Sequence, residues 1–248
     1  MADRPLSDAE RTELLDAFEG LRVPDVTDGM DFLGFHDVNR LDSSIQPLHR
    51  DFESFAHRFV GFANTIRFLP ARRARDLPAQ DERTFETTTA WRDEWYEEIS
   101  GEPDDVREGD VIVVESHEMD VGIIGSANSL AWDGKGAFGV VTNGGPRDTD
   151  EIIKQGTPVY AKDRNKTIIP GRAELDDTHV PVNVGGAQIR TDDVVVADGD
   201  GVVVVPREHA HEVAEAARRE QADDQAFRRE LYEKAGLDPD FTLDDGPD

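Results

Sequence analysis

The chain has 248 residues and a formal net charge of −27, because 54 acidic side chains outnumber 27 basic ones. This length allows one large domain with a substantial core. The negative field repels phosphate groups, which argues against direct binding to nucleic acid. The sequence has no cysteine, which excludes disulfides, thiolate metal sites and cysteine nucleophiles. Its acidic, lysine-poor composition is typical of halophilic proteins, which stay soluble in concentrated salt.

The distribution of apolar residues argues against secretion and membrane insertion. Residues 1–18 have no positively charged segment followed by an apolar core, so they do not resemble a secretory signal. Apolar runs in the sequence stay well below the roughly 18 residues that a membrane-spanning helix needs. We therefore expect a cytoplasmic protein with no membrane contact.

The N-terminal part predicts two helices followed by two strands. Ser7 begins a capping-box pattern that Glu10 completes, and apolar residues follow at helical spacing. A second, short helix is predicted over residues 26–33. Residues 45–48 and 60–68 have the composition of strands, and the second of these runs alternates apolar and polar positions.

Residues 69–106 have no regular pattern, although Trp91, Trp95 and Tyr96 stand among several acids. We interpret this segment as an insertion within a single domain that spans residues 1–237. It either covers a functional site or lines a subunit contact, because aromatic side chains are good interface anchors.

Short apolar strands alternate with short helices in the next part of the chain, which is typical of a parallel α/β sheet. The predicted elements are a strand at 111–114, a helix at 129–132, a strand at 138–141, a helix at 150–154 and a strand at 158–161. Residues 181–189 alternate around two glycines. Residues 194–197 and 202–205 then flank the sequence DGDG, which strongly predicts a hairpin.

The last predicted helix covers residues 208–234. Two carboxylates, Glu220 and Asp224, interrupt its apolar face. Either the helix extends beyond the core, so that these acids are solvated, or Glu220 points into a site shared with a neighbouring subunit. Residues 238–248 are predicted to be an acidic, mobile tail.

Arg147 and Asp148 are adjacent, and they follow a glycine turn that joins a predicted strand to a predicted helix. Ligands of open α/β sheets bind at such edges. A guanidinium beside a carboxylate can hold both a carboxylate-bearing substrate and a divalent cation. The pair also has a structural interpretation, since Asp148 and Glu151 fit a helix N-cap with its partner and Arg147 fits a surface ion pair.

Four ordered motifs, VPDVTDGM, GDVIVVES, VVTNGGPRDTDEI and VPVNVGGAQIRTDDVVVADGDGVVVVPRE, resemble motifs of the RraA-like family. That family contains 4-hydroxy-4-methyl-2-oxoglutarate aldolases, related oxaloacetate decarboxylases and the regulator of ribonuclease activity A. The resemblance implies a layered α/β sandwich of the swivelling-domain type with a long C-terminal helix. It also implies a homo-oligomer, either a trimer or a hexamer.

For the aldolases of the family, the resemblance implies a divalent cation, magnesium or manganese, near Asp148. Arg147 corresponds to the arginine that grips the substrate and steadies charge on its 2-keto oxygen. Glu220 corresponds approximately to a C-terminal glutamate that an adjoining subunit donates. The cradle for the pyruvoyl carboxylate corresponds to the backbone N–H groups of Gly125, Ser126, Ala127 and Asn128.

Two departures from the aldolase pattern leave two functions open. Ser126 stands where the aldolases have an acid, and Asn143 stands where the family has an aspartate. A serine hydroxyl is a poor base at neutral pH, and an amide cannot ionise. Glu118 and Asp120, in the preceding loop, are candidates to replace the missing acid because they are near it in the sequence. The protein is then either a metal-dependent lyase that releases pyruvate from a small 2-keto acid, or a non-catalytic regulator that binds another protein. An intermediate possibility is an enzyme that acts on a different small acid, with the segment around Trp91 to Tyr96 reshaping the pocket.

Overall fold

The computed structural model describes residues 4–72, 77–99 and 105–243. Its helices are α1 (Asp8–Phe18), α2 (Val23–Phe32), α3 (Phe85–Ile99), α4 (Ser126–Asp133), α5 (Thr149–Gln155) and α6 (Ala210–Ala235). Its strands are β1 (Gln46–Pro47), β2 (Phe59–Pro70), β3 (Asp110–Glu115), β4 (Gly139–Thr142), β5 (Val159–Ala161), β6 (Ala173–Thr178), β7 (Val182–Val184), β8 (Ala187–Ile189), β9 (Val194–Asp198) and β10 (Gly201–Val205).

One mixed sheet organises the fold, with the strand order β1-β5-β4-β3-β2-β9-β10. Strands β2, β3, β4 and β5 are parallel, whereas β9, β10 and β1 are antiparallel to their neighbours. The long strand β2 pairs with β9 through its first half and with β6 through its second half. Because β1 approaches β10, the sheet curls into a nearly closed barrel.

Side chains alternate along the buried strands and divide the core into an inner part and an outer part. On β3, Val111 and Val113 belong to the inner cluster, which the β7–β8 hairpin closes. Ile112 and Val114 point outward, into a cluster with α4 and α5. A separate outer cluster packs α1, α2 and α6 against β9 and β10. The predicted α/β fold with a long C-terminal helix is therefore confirmed.

Helix α3 lies inside residues 69–106, where the sequence pattern predicted nothing regular. Trp95 is buried there and donates its indole N–H to the carbonyl oxygen of Ala173, at 3.3 Å. Trp91 packs on Trp95 with ring centroids 6.0 Å apart. The helix was not predicted, although Trp91, Trp95 and Ile99 recur at helical spacing, because this apolar stripe is narrow and charged or polar residues occupy most of the remaining positions. Residues 73–76 and 100–104 of the segment lie outside the described residues.

The C-terminal segment folds back onto α6, although the sequence predicted a mobile tail from residue 238. Arg228 donates to the carbonyl oxygen of Thr242 at 3.0 Å. Phe241 stacks near Phe55 with ring centroids 5.0 Å apart, and Leu243 is buried. Residues 244–248 of the expected tail lie outside the described residues. Across residues 4–72, 77–99 and 105–243, no helix is both long and apolar enough to cross a membrane.

Candidate active site

A pocket of about 480 Å³ opens at the carboxyl-terminal ends of the parallel strands β2, β3 and β4. This is the edge at which open α/β sheets bind their ligands. One part of its wall is polar and comes from the loop before α4, the first turn of α4, and the turn between β4 and α5. The remaining wall comes from β2, from helix α3 and from residues 168–169.

Asp148 stands at the N-cap position of α5, but its carboxylate makes no capping hydrogen bond to that helix. It turns instead toward α4, where the backbone N–H and the hydroxyl of Ser126 lie 3.4 and 3.5 Å from Oδ2. Its backbone is left-handed, with φ 57° and ψ 39°. A non-glycine residue in that conformation is strained. The helix-cap interpretation of Asp148 is therefore wrong for its side chain.

Arg147 holds the Asp148 carboxylate through Nε, at 3.2 Å from Oδ1, and both side chains are 34% exposed. The backbone N–H of Arg147 donates to the carbonyl oxygen of Ile124 at 2.8 Å. This bond ties the turn after β4 to the loop before α4. Arg147 and Asp148, which are adjacent in the sequence, thus form a guanidinium–carboxylate pair that faces the pocket.

Two glycines let the chain approach this pair closely. A Cβ on Gly122 would lie 3.0 Å from Cγ and Cδ of Arg147 and only 2.6 Å from the carbonyl oxygen of Thr167. A Cβ on Gly125 would lie 3.0 Å from Oδ2 of Asp148. Side chains at either position would displace the residues that form the polar end of the pocket.

The first turn of α4 presents free backbone donors to the pocket. Gly125 is the N-cap, and its N–H donates to Oδ1 of Asn128 at 2.7 Å. The Asn128 amide in turn donates to the carbonyl oxygen of Ile123 at 3.1 Å, which fixes the turn. The N–H groups of Ala127 and Asn128 have no acceptor among the described residues. Such a helix N-terminus favours an anion.

Helix α3 adds Arg92, Asp93 and Tyr96 to the wall of the pocket. Nε of Arg92 lies 3.5 Å from Oδ1 of Asp93. Burial raises the pKa of the Tyr96 phenol above its ordinary value, and the nearby Arg147 guanidinium offsets part of that rise. Tyr96 therefore stays protonated at neutral pH and can donate a hydrogen bond. Sequence reasoning placed Tyr96 in a segment that either covers a functional site or lines a subunit contact, but it assigned no role at the site to Arg92 or Asp93.

The acids that the sequence offered as substitutes lie elsewhere. Glu118 pairs with Lys162 at 2.7 Å, and Asp120 is exposed; neither lines the pocket. Glu220 is exposed on α6 and also lies outside the pocket wall. Beyond Ala217, the buried positions of α6 are Gln221 and Gln225, so the expected apolar face does not continue through Glu220.

Asn143 has a structural role that a carboxylate could not fill. Its Oδ1 accepts hydrogen bonds from the N–H and the hydroxyl of Ser116, at 2.9 and 3.1 Å. Its Nδ2 donates to the carbonyl oxygen of Asn183 at 3.3 Å. An ionised aspartate has no donor for that carbonyl. The amide thus joins the ends of β3 and β4 to β7, and the departure at this position lies outside the pocket.

A family model described as RraA-like, Aldolase/RraA, matches residues 13–204. The chain belongs to the RraA-like family. The match includes β2, β3 and β4, the loop before α4, and the Arg147–Asp148 pair. It also includes α3, so the pocket is built within the part of the chain that the family model covers.

Curated relatives of this RraA-like chain include named aldolases. A putative 4-hydroxy-4-methyl-2-oxoglutarate aldolase of Halalkalibacterium halodurans is 32% identical over 110 residues, covering 44% of this chain and 49% of the relative. The 4-hydroxy-4-methyl-2-oxoglutarate aldolase of Thermus thermophilus is 34% identical over 84 residues, covering 33% and 49%. The chain thus spans about half the length of these two relatives.

Solved structures share the fold over nearly the whole chain. RraAS2 of Streptomyces coelicolor is described as an unusual member of the RNase ES inhibitor RraA protein family. It superposes on this chain with a TM-score of 0.67 and 23% sequence identity, covering 91% of this chain and 98% of its own. At this identity, the likeness supports the RraA-like fold alone.

Proposed function

We propose that the protein is a divalent-metal-dependent lyase that cleaves a carbon–carbon bond of a small 2-keto acid and releases pyruvate. The proposal rests on the orientation of the Asp148 carboxylate. This carboxylate does not cap α5, although its residue has a strained left-handed backbone, and it faces the pocket beside Arg147. The reaction is either a retro-aldol cleavage or a decarboxylation of oxaloacetate type. The named aldolases among its relatives support this choice.

The donor set suits magnesium or manganese. Oδ2 of Asp148 has only the two long contacts to Ser126, so lone pairs remain for a cation. No cluster of three or more His, Asp or Glu side chains that could hold a metal occurs among the described residues. Asp148 would therefore be the principal protein ligand. Magnesium tolerates this arrangement, because it keeps several waters and is commonly bound through one or two carboxylates plus substrate oxygens.

The other groups of the pocket have distinct tasks in a retro-aldol reaction. The N–H groups of Ala127 and Asn128 bind the substrate carboxylate, and the Arg147 guanidinium faces its 2-keto oxygen. The C3–C4 bond breaks as the 4-hydroxyl loses its proton, and pyruvate leaves as the enolate, which takes a proton at C3. Arg147 stabilises the charge that develops on the keto oxygen. The cation, when bound, supplies Lewis-acid polarisation of the same oxygen.

Pyruvate release tests the proposal directly. The purified protein is incubated in high salt with magnesium or manganese, oxaloacetate and a panel of 4-hydroxy-2-keto acids, and pyruvate is measured over time. We expect turnover of at least one compound, and its loss when a chelator removes the metal. Asp148→Asn is the matched inactive control, because asparagine tolerates the left-handed backbone but binds cations poorly. If no compound yields pyruvate above this control, the protein is not such a lyase.

We assign the role of the acid missing at Ser126 to Asp93, which besides Asp148 contributes a carboxylate to the pocket wall. It accepts the proton of the 4-hydroxyl. Asp93→Asn is therefore expected to lower kcat by about 10²–10⁴-fold, the usual contribution of general acid–base catalysis, with little change in KM. Steady-state kinetics check this. Glu97→Gln on the same helix is the control, since Glu97 is exposed and lies outside the pocket wall. Equal losses in the two variants would contradict the assignment.

The serine at position 126 also favours a second candidate, a non-catalytic regulator that binds another protein. Ser126 contacts Asp148 at 3.5 Å but cannot itself ionise at neutral pH. A regulator would bind its partner equally well with Asp148→Asn, whereas a lyase would lose activity. The protein is a regulator if it binds one stoichiometric partner, if Asp148→Asn leaves that binding unchanged, and if no keto acid tested is cleaved.

A further inference from the structure

The wall of the pocket beyond Arg147 is largely apolar. Beside Arg92 and Asp93 of α3, it is formed by Ile66, Phe68, Tyr96, Ile123, Trp132, Ile168 and Ile169. Ile66, Phe68, Ile123 and Trp132 are buried and belong to the outer core cluster with α4 and α5. The pocket therefore has a polar end at α4 and Arg147 and an apolar compartment next to it.

The cationic side chains of the wall already have acidic neighbours. Arg147 pairs with Asp148 at 3.2 Å, and Arg92 lies 3.5 Å from Asp93. Helix α3 contributes one guanidinium, that of Arg92, and one carboxylate, that of Asp93, to the wall of the pocket. A second carboxylate on a ligand would have to compete with Asp148 or Asp93 for one of these guanidinium groups. Burying it without a partner would also cost desolvation energy.

We propose that the reaction is the retro-aldol cleavage of a 4-hydroxy-2-keto acid whose far end, beyond the carbon that carries the 4-hydroxyl, is uncharged and apolar, and that α3 is the element that sets this specificity. The inference rests on the proposed function, because the keto-acid head must occupy the polar end of the pocket. The far end then lies between Tyr96 on α3 and Ile168. A branched or aromatic group there removes apolar surface from water on both sides, which contributes favourably to binding.

Calorimetric binding with magnesium present compares three non-cleavable probes: pyruvate, 2-oxoglutarate and 2-oxo-4-phenylbutanoate. Pyruvate reports the polar end alone, and the other two differ in the charge of the far end. We expect 2-oxo-4-phenylbutanoate to bind at least tenfold more tightly than 2-oxoglutarate. If 2-oxoglutarate binds as tightly as 2-oxo-4-phenylbutanoate or more tightly, and pyruvate also binds, the proposed specificity is overturned and the proposed function survives. If none of the three binds, the proposed function is overturned and the specificity falls with it.

A cation placed in the compartment should reverse the preference. Ile168 lines the pocket and is half-buried, so it can be replaced by lysine without opening the core. Ile168→Lys is expected to bind 2-oxoglutarate at least tenfold more tightly than the unmodified protein does, and 2-oxo-4-phenylbutanoate more weakly. Ile153→Lys is the control, because Ile153 is also half-buried but lies on α5 outside the wall. If Ile168→Lys leaves the ratio of the affinities for 2-oxoglutarate and 2-oxo-4-phenylbutanoate unchanged, this wall does not contact the far end of the substrate.

Discussion

Arg147→Ala is expected to lower kcat for pyruvate release by about 10²–10³-fold, the usual cost of removing one donor that stabilises developing negative charge. The guanidinium is already oriented by Asp148 and by the close approach of Gly122, so the reaction loses a positioned group. Steady-state kinetics with magnesium measure the effect. Arg147→Lys should recover only part of the loss, because an ammonium cannot contact the carboxylate and the substrate through one planar fork.

A nearby arginine provides the control for that experiment. Arg164 is exposed and donates to the carbonyl oxygen of Leu48 at 3.2 Å, away from the pocket wall. Arg164→Ala should leave kcat unchanged while removing the same amount of charge. Full activity in Arg147→Ala would show that Arg147 has no role at the keto oxygen. An equal loss in Arg164→Ala would show that the effect comes from overall charge.

The second large effect concerns stability and lies near the opposite end of β2, at Phe62. Arg11 is only 4% exposed and pairs with Asp110 at 2.7 Å and with Asp192 at 3.4 Å. It also donates to the carbonyl oxygen of Glu108 at 2.8 Å and lies over the Phe62 ring, 4.3 Å from its centroid. Arg11→Met should destabilise the fold by about 3–5 kcal/mol, because it leaves the Asp110 carboxylate buried without its cation.

Urea unfolding followed by circular dichroism measures this loss. Arg219→Met is the control, since Arg219 pairs with Glu215 on the surface of α6 and the two side chains are 70% and 69% exposed. Its unfolding midpoint should match that of the unmodified protein. Asp110→Asn combined with Arg11→Met should recover part of the stability, since no uncompensated charge is then left at that position. A midpoint for Arg11→Met equal to that of the control would contradict the account.

Much of the sheet could be predicted because its strands are short runs of β-branched residues that are buried on both faces. The hairpin of β9 and β10 was predicted from the DGDG turn between two valine-rich runs. Helix α3 and strand β6 were not predicted, because their formation depends on tertiary contacts. Trp95 docks α3 on the carbonyl oxygen of Ala173, and β6 is an acidic segment held by pairing with β2.

The same distinction applies to the site. The adjacency of Arg147 and Asp148 was visible in the sequence, and so was the glycine-rich loop that approaches them. The left-handed backbone of Asp148 was not, because the sequence that follows it favours an ordinary helix cap. The segment that contains Tyr96 was expected either to cover a site or to line a subunit contact, but the position of Asp93 in the pocket wall was not visible, since it depends on where α3 docks. Glu220 was selected from a periodicity that the burial of Gln221 and Gln225 interrupts.

The edges of the curled sheet restrict how copies of this chain can associate. Strand β1 has only two residues, and residues 39–41 already pair with the outer side of β10. Strand β6, beside β2, carries Glu174, Asp176 and Asp177 along its length. Edge strands that are short or negatively charged are poor templates for pairing with a strand from another molecule. Self-assembly of this chain should therefore proceed through helical and loop surfaces, and continuous intermolecular sheets are disfavoured.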